Sequence, residues 1–165
     1  MWKRVLIMAA CCGLSLALNG CAQPLQDMID RAALRALFGL PAGAELVEYQ
    51  GFPSMVGFGQ REGLRLRAVY DLSQAEAAAF LEQARDGGWQ PLPISAGLLR
   101  HIPFREFPVP LDRTRGLFVC RTAGDQVLHP ARTVDCLEVR HLNDLIFGVF
   151  DSVERRVWIG VQAGY

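Results

Sequence analysis

Fourteen residues, Val5 to Leu18, follow the cations Lys3 and Arg4 without a single charge, among them Ile7, Met8, Leu14 and Leu16. A basic start and an apolar run of this length match the leader of an exported protein. The run falls short of the ~20 residues a membrane-spanning helix needs. Nothing else in the chain constrains the fold as much. If the leader is removed, the folding unit is the chain beyond it, and that unit folds in an oxidising compartment where cysteines pair.

The end of the run carries the finer information. Leu18-Asn19-Gly20-Cys21 resembles the lipobox of bacterial lipoproteins, with an aliphatic residue three positions before the cut, a small one just before it and cysteine just after. The resemblance covers this segment alone and identifies a class of processing, not a fold. It implies that residues 1–20 are cleaved as a signal peptide and that Cys21 carries a thioether-linked diacylglycerol, usually with a third acyl chain. Each buried CH₂ contributes ~0.8 kcal/mol, so several chains anchor stably where one would not. Ala22, rather than Asp, follows the cysteine; in a Gram-negative cell this resembles an outer-membrane sorting signal and places the domain facing the periplasm. Two alternatives stand beside it. Gly20-Cys21-Ala22 also fits the small-x-small pattern of ordinary signal peptidase, which would release a soluble protein, and the apolar run could be retained as a helical anchor. Lipoprotein processing is the preferred reading.

The remaining 145 residues, 21–165, suit one domain with a sizeable core. Setting aside Lys3 and Arg4 leaves 15 cations, all arginine, against 17 acids, a net charge of −2. That balance argues against a nucleic-acid partner, whose binding surface would be clearly basic. Cys11 and Cys12 leave with the leader and Cys21 is lipidated, so Cys120 and Cys136 remain as an even pair and are expected to form a disulfide.

Local patterns predict the elements. Leu25, Met28, Ile29, Ala32, Ala36 and Leu37 recur at helical spacing, giving an amphipathic helix over about 24–38, with Pro24 in its first turn and Gly39 at its stop. Its polar face mixes Asp27, Asp30, Arg31 and Arg35, which favours packing on its own domain over lying on a membrane. Alternation predicts strands over 45–52 and 64–70, separated by a Gly-rich turn or exposed loop over 51–63. Ser73-Gln74-Ala75-Glu76 is a capping box; Ala77, Phe80, Leu81 and Ala84 form the apolar stripe behind it, and Gly87-Gly88 end the helix. Trp89–Ile94 reads as a short strand confined to an edge by Pro91 and Pro93. Residues 95–115 are punctuated by Pro103, Pro108 and Pro110 and read as a long loop. From Gly116 on, strands over 117–122, 134–141, 145–150 and 157–162 suggest an antiparallel meander, with Cys120 and Cys136 on its first two members. The expected fold is α+β: a single antiparallel sheet of about five to seven strands with one or two helices packed on one face.

Catalytic signatures are lacking. Ser54 in Gly51-Phe52-Pro53-Ser54-Met55-Val56-Gly57 has the wrong spacing for a nucleophile elbow. Gly57-Phe58-Gly59 lacks the third glycine and following helix of a dinucleotide site. His101, His129 and His141 are scattered, and Asp144 and Asp151 flank a hairpin as turn residues. No cofactor, metal or catalytic residue is assigned, and the chain is read as a non-enzyme. The most suggestive stretch sets Arg100, Arg105, Arg113 and Arg115 among Phe104 and Phe107. Arginine and aromatic residues are enriched in protein interfaces, so these six form a candidate interaction surface, against the alternative of a solvated loop. The leading expectation is a membrane-anchored accessory or protein-binding module whose partner is another envelope protein. A periplasmic small-ligand or lipid carrier, and an immunity protein against a periplasmic toxin, are the alternatives.

Overall fold

Leu145–Asp151 is the most apolar strand of the chain, and every one of its residues is buried. A strand with two apolar faces needs cover on both sides and neighbours on both edges, and the architecture supplies them. The computed structural model describes residues 31–54, 63–101, 109–123, 133–136 and 145–163. Its elements in chain order are helix α1 (31–38), strands β1 (Glu45–Ser54) and β2 (Gly63–Asp71), and helix α2 (Gln74–Ala84). Strand β3 (Gln90–Pro91), helix α3 (Ala96–His101) and strands β4 (Gly116–Ala123), β5 (Thr133–Asp135), β6 (Leu145–Asp151) and β7 (Arg156–Ala163) complete the order. The strands form one antiparallel sheet in the order β1-β2-β7-β6-β4-β3. The fold is α+β, as the patterning predicts.

The C-terminal strands are not a sequential meander. β6 pairs with β4 on one side and β7 on the other, whereas the stub β5 pairs with the outer edge of β4 through Arg121, Thr122 and Ala123. β3 occupies the same edge further along, opposite Leu117 and Phe118. The reason is burial. Leu145–Asp151 has no polar face to show to water and takes an interior place, while Thr133-Val134-Asp135 and the proline-bearing Gln90-Pro91 serve as edges. The Gln90 amide donates to Asp135 Oδ2 at 3.0 Å, joining the two short edge strands end to end. The expected strand over 134–141 is described only to Cys136, and the Gly-rich segment only to Ser54 and from Gly63; the intervening residues lie outside the described set, as do residues 24–30 of the expected first helix.

One face of the sheet packs under α1 and α2. Leu66, Ala68 and Tyr70 of β2, Val157, Ile159 and Val161 of β7, Ile146 and Phe150 of β6, and Leu117 and Val119 of β4 meet Leu34, Phe38, Ala77, Phe80, Ala84 and Trp89. Phe80 sits edge-on to both Trp89 and Phe150, with ring centroids 5.1 and 5.2 Å apart. Within α1 the buried stripe is Leu34 and Phe38, with Leu37 half-buried, while Ala32 and Ala36 of the expected stripe are exposed. The larger side chains capture the face, because burying them removes more apolar surface from water.

α1 crosses the strands rather than running along them. Arg31 lies over the Tyr49 ring of β1 at 4.8 Å, and Arg35 over the Tyr70 ring of β2 at 5.7 Å. Phe38 reaches Gly148 of β6, where a Cβ would come within 2.8 Å of its ring and 2.7 Å of Trp89. The absence of a side chain at Gly148 is what lets both aromatics touch the sheet.

Both helices stop in the same way. Leu40 N donates to Arg35 O and Gly39 N to Ala36 O; Trp89 N donates to Ala84 O and Gly88 N to Arg85 O. Gly39 and Gly88 hold φ of +63° and +80°, the left-handed position that this Schellman arrangement requires. Ser73 and Glu76 form the capping box at the start of α2.

The opposite face has its own cover, which the patterning does not anticipate. Ile94, Leu98 and Val109 pack on Val69, Phe118, Phe147, Val149 and Trp158, with the Cys120–Cys136 pair among them. Leu98 belongs to α3, a helix inside the stretch read as loop. It begins where Ser95 Oγ accepts from Leu98 N at 3.2 Å, and its six residues are too few to show a helical period.

Candidate functional site

Cys120 leaves β4 on this second face, and Cys136 comes directly after β5. The register of the β4–β5 pair brings their Cα atoms to 5.5 Å, and the two are joined as a disulfide. Both cysteines are buried. The bond thus holds the stub β5 on an edge where, among the described residues, three residue pairs connect it to β4.

Three of the six residues of the candidate surface, Arg100, Arg113 and Arg115, are among the described residues. Phe104, Arg105 and Phe107 lie outside the described residues, as does Cys21. Arg100 is exposed on α3, and its Nε donates to Ala96 O within the same helix at 3.2 Å. Arg113 and Arg115 are brought together beside the β6–β7 turn, where Arg115 O accepts from Ser152 N at 3.3 Å.

That corner is built around Asp151, which is 5 % exposed. Its Oδ1 accepts from Val153 N at 2.8 Å and Glu154 N at 3.0 Å, closing the turn. Its Oδ2 lies 3.4 Å from Arg113 Nη1, and the same nitrogen donates to Glu154 Oε1 at 2.6 Å. The Arg113 guanidinium also stacks over Trp158 at 5.2 Å. Arg113 is therefore an internal clamp between the segment before β4 and the turn after β6, and it presents little free charge to a partner. Arg115 is exposed. With Asp112, Thr114, Val153 and Glu154 it borders a shallow depression of about 320 Å³. Acidic and basic groups alternate around it, and Val153, 60 % exposed, is its apolar element.

A second depression of about 230 Å³ lies over the ends of α1 and α2, lined by Leu37, Gly39, Gln83, Gly87, Trp89 and Arg121. Here Arg121 rises from β4 and donates to Leu37 O at 3.3 Å and to Gly87 O. One guanidinium thus serves the carbonyl ends of both helices, where the backbone dipoles gather negative charge. Burial pulls Arg121 below its ordinary pKa, against the raising influence of Asp135. Pattern reading places Arg121 in the arginine-rich 95–121 stretch but misses this role, because its partners are backbone carbonyls 84 and 34 positions away.

Among the described residues, no three His, Cys, Asp or Glu side chains gather where they could hold a metal ion. No described helix is long and apolar enough to cross a membrane. The comparisons with known proteins are as bare as the motif search: no family model, curated protein or solved structure matches this chain.

Proposed function

We propose that the chain is a bacterial envelope lipoprotein, cut before Cys21 and anchored by acyl chains on that cysteine, and that its α+β domain is a non-enzymatic accessory module binding another envelope protein. The observation that carries the proposal is Leu18-Asn19-Gly20-Cys21 at the end of an uncharged run. The bridged Cys120–Cys136 pair supports export, since such bonds persist outside the reducing cytosol. Ala22 supports sorting to the outer membrane with the domain in the periplasm.

For the binding role the support is the character of the surface. The depression beside the β6–β7 turn is open and lined by alternating acidic and basic groups, unlike the enclosed apolar pockets small-molecule sites favour. Arg115, Val153 and Arg100 are exposed and offer the arginine and apolar contacts common in protein interfaces.

Two measurements test the proposal. The intact mass of the mature N-terminal peptide is expected to show acylated Cys21; an unmodified chain beginning elsewhere would overturn the anchor. In-cell cross-linking of a C-terminally tagged protein is expected to yield one specific envelope partner, reduced in Cys21→Ala. An anchored protein that captures none, but copurifies with a lipid or small molecule, would replace the binding module with a carrier.

A further inference from the structure

We infer that the sheet stands with its β1 edge toward the lipid surface and its β3–β5 edge turned away, an orientation that rests on the lipoprotein reading above. The path of α1 carries the inference. The helix starts over the β1 edge and ends over the middle of the sheet: Arg31 reaches Tyr49 on β1, Arg35 reaches Tyr70 on β2, and at the C-terminal end Phe38 reaches Gly148 on β6 while Leu37 O meets Arg121 on β4. The chain therefore enters the domain over β1, the terminal strand of the sheet order.

Arg31 is ten residues after Cys21, and a stretch of that length reaches at most about 35 Å. Strands in a sheet are spaced about 4.8 Å apart, so the five spacings from β1 to β3 amount to about 24 Å. The tether sets that reach as the upper bound on the distance of the entry edge from the bilayer, whereas the far edge can stand up to a further sheet width out. The charges at the β1 end suit this placement. Arg31, Arg35 and Arg67 stand against Glu45 and Glu48, with Arg67 and Glu48 paired at 3.3 Å, so an anionic headgroup layer is not repelled. The far edge, where the disulfide and the two short strands lie, is then what a periplasmic partner meets first.

Fluorescence tests the orientation on the full lipidated protein in vesicles of phosphatidylethanolamine and phosphatidylglycerol doped with a headgroup-labelled acceptor lipid. A donor dye is placed on Val47→Cys, an exposed position on β1, or on Asp86→Cys, exposed in the turn before β3. Cys21 is acylated and Cys120 and Cys136 are bridged, so each introduced thiol is labelled alone. Transfer from position 47 is expected to exceed that from position 86 at least twofold, and Cys21→Ala versions of both are expected to show none. Equal or reversed transfer in a chain whose mass shows acylated Cys21 would overturn the orientation and leave the anchor standing. A chain without lipid on Cys21 would overturn both. Matching thermal melts of the two variants exclude misfolding as the source of any difference.

Discussion

Asp151 offers a sharp test of how the β6–β7 corner is held. Two substitutions separate its two jobs. Asp151→Asn keeps a side-chain oxygen to accept from Val153 N and Glu154 N but removes the charge facing Arg113. That pair is long at 3.4 Å, and Arg113 retains Glu154 at 2.6 Å, so the expected cost is about 0.5–1 kcal/mol, in the range of partly exposed ion pairs. Asp151→Ala removes the acceptor as well. Hydrogen bonds to a charged group contribute about 1.5–3 kcal/mol each, but the turn is open to water, which replaces part of the loss. The expected total is therefore about 2–3 kcal/mol. Urea unfolding of the disulfide-intact protein, monitored by tryptophan emission, reads both, since Trp158 lies under Arg113. With a slope of about 2 kcal/mol/M, the midpoint falls by about 1 M or more for Ala and by less than half of that for Asn. Equal losses in the two variants would refute the argument, because the charge and not the turn acceptor would then be the larger contribution.

Three further outcomes are expected. Gly148→Ala forces a methyl against Phe38 and Trp89 and is expected to destabilise by about 1–3 kcal/mol; with Phe38→Leu as a second change, thermal melts are expected to show less than the sum of the single losses. Hydrogen bonding from Arg156 holds the Asp71 carboxyl below its ordinary range. The folded value thus lies under the unfolded one, so the pair's contribution is complete above the unfolded value of about 3.9 and is lost as pH falls through the folded value. Both partners are more than a third exposed, which limits the effect to about 1 kcal/mol; melting wild type and Asp71→Asn from pH 6 to pH 2 is expected to show a gap that closes at the acid end, and a gap that persists there would contradict the assignment. Replacing Cys120 and Cys136 together by Ser is expected to cost about 3 kcal/mol, the chain-entropy value for a loop of this size, read as a midpoint shift in urea under non-reducing conditions.

How much of the fold is legible in the sequence depends on the range of each interaction. The capping box at Ser73 and Glu76, the stripe of Ala77, Phe80 and Ala84, and the stop at Gly39 involve residues within a few positions of one another, and all are present in the fold. Asp151 as a turn residue is of the same kind. The stripe of α1 is misassigned over the described residues, with Ala32 and Ala36 exposed and Leu34 and Phe38 buried in their place, because which face is covered depends on the angle at which the helix crosses β1, β2 and β6. Helix α3 is missed because six residues with one buried leucine have no period to detect. Of the candidate surface, Arg113 looks from its local sequence like a free cation beside a proline-rich stretch; its carboxylate partners lie 38 and 41 positions later.

Local chemistry alone predicts the pairing of Cys120 with Cys136 and the α+β class, because each rests on composition or on spacing within one segment. The strand order, the removal of β5 to the outer edge, the second covered face, the capture of Arg113 and the bridging of two helix ends by Arg121 are tertiary decisions. Each depends on which distant groups share a burial site, and the free energy of that burial belongs to the assembled sheet rather than to any stretch of chain.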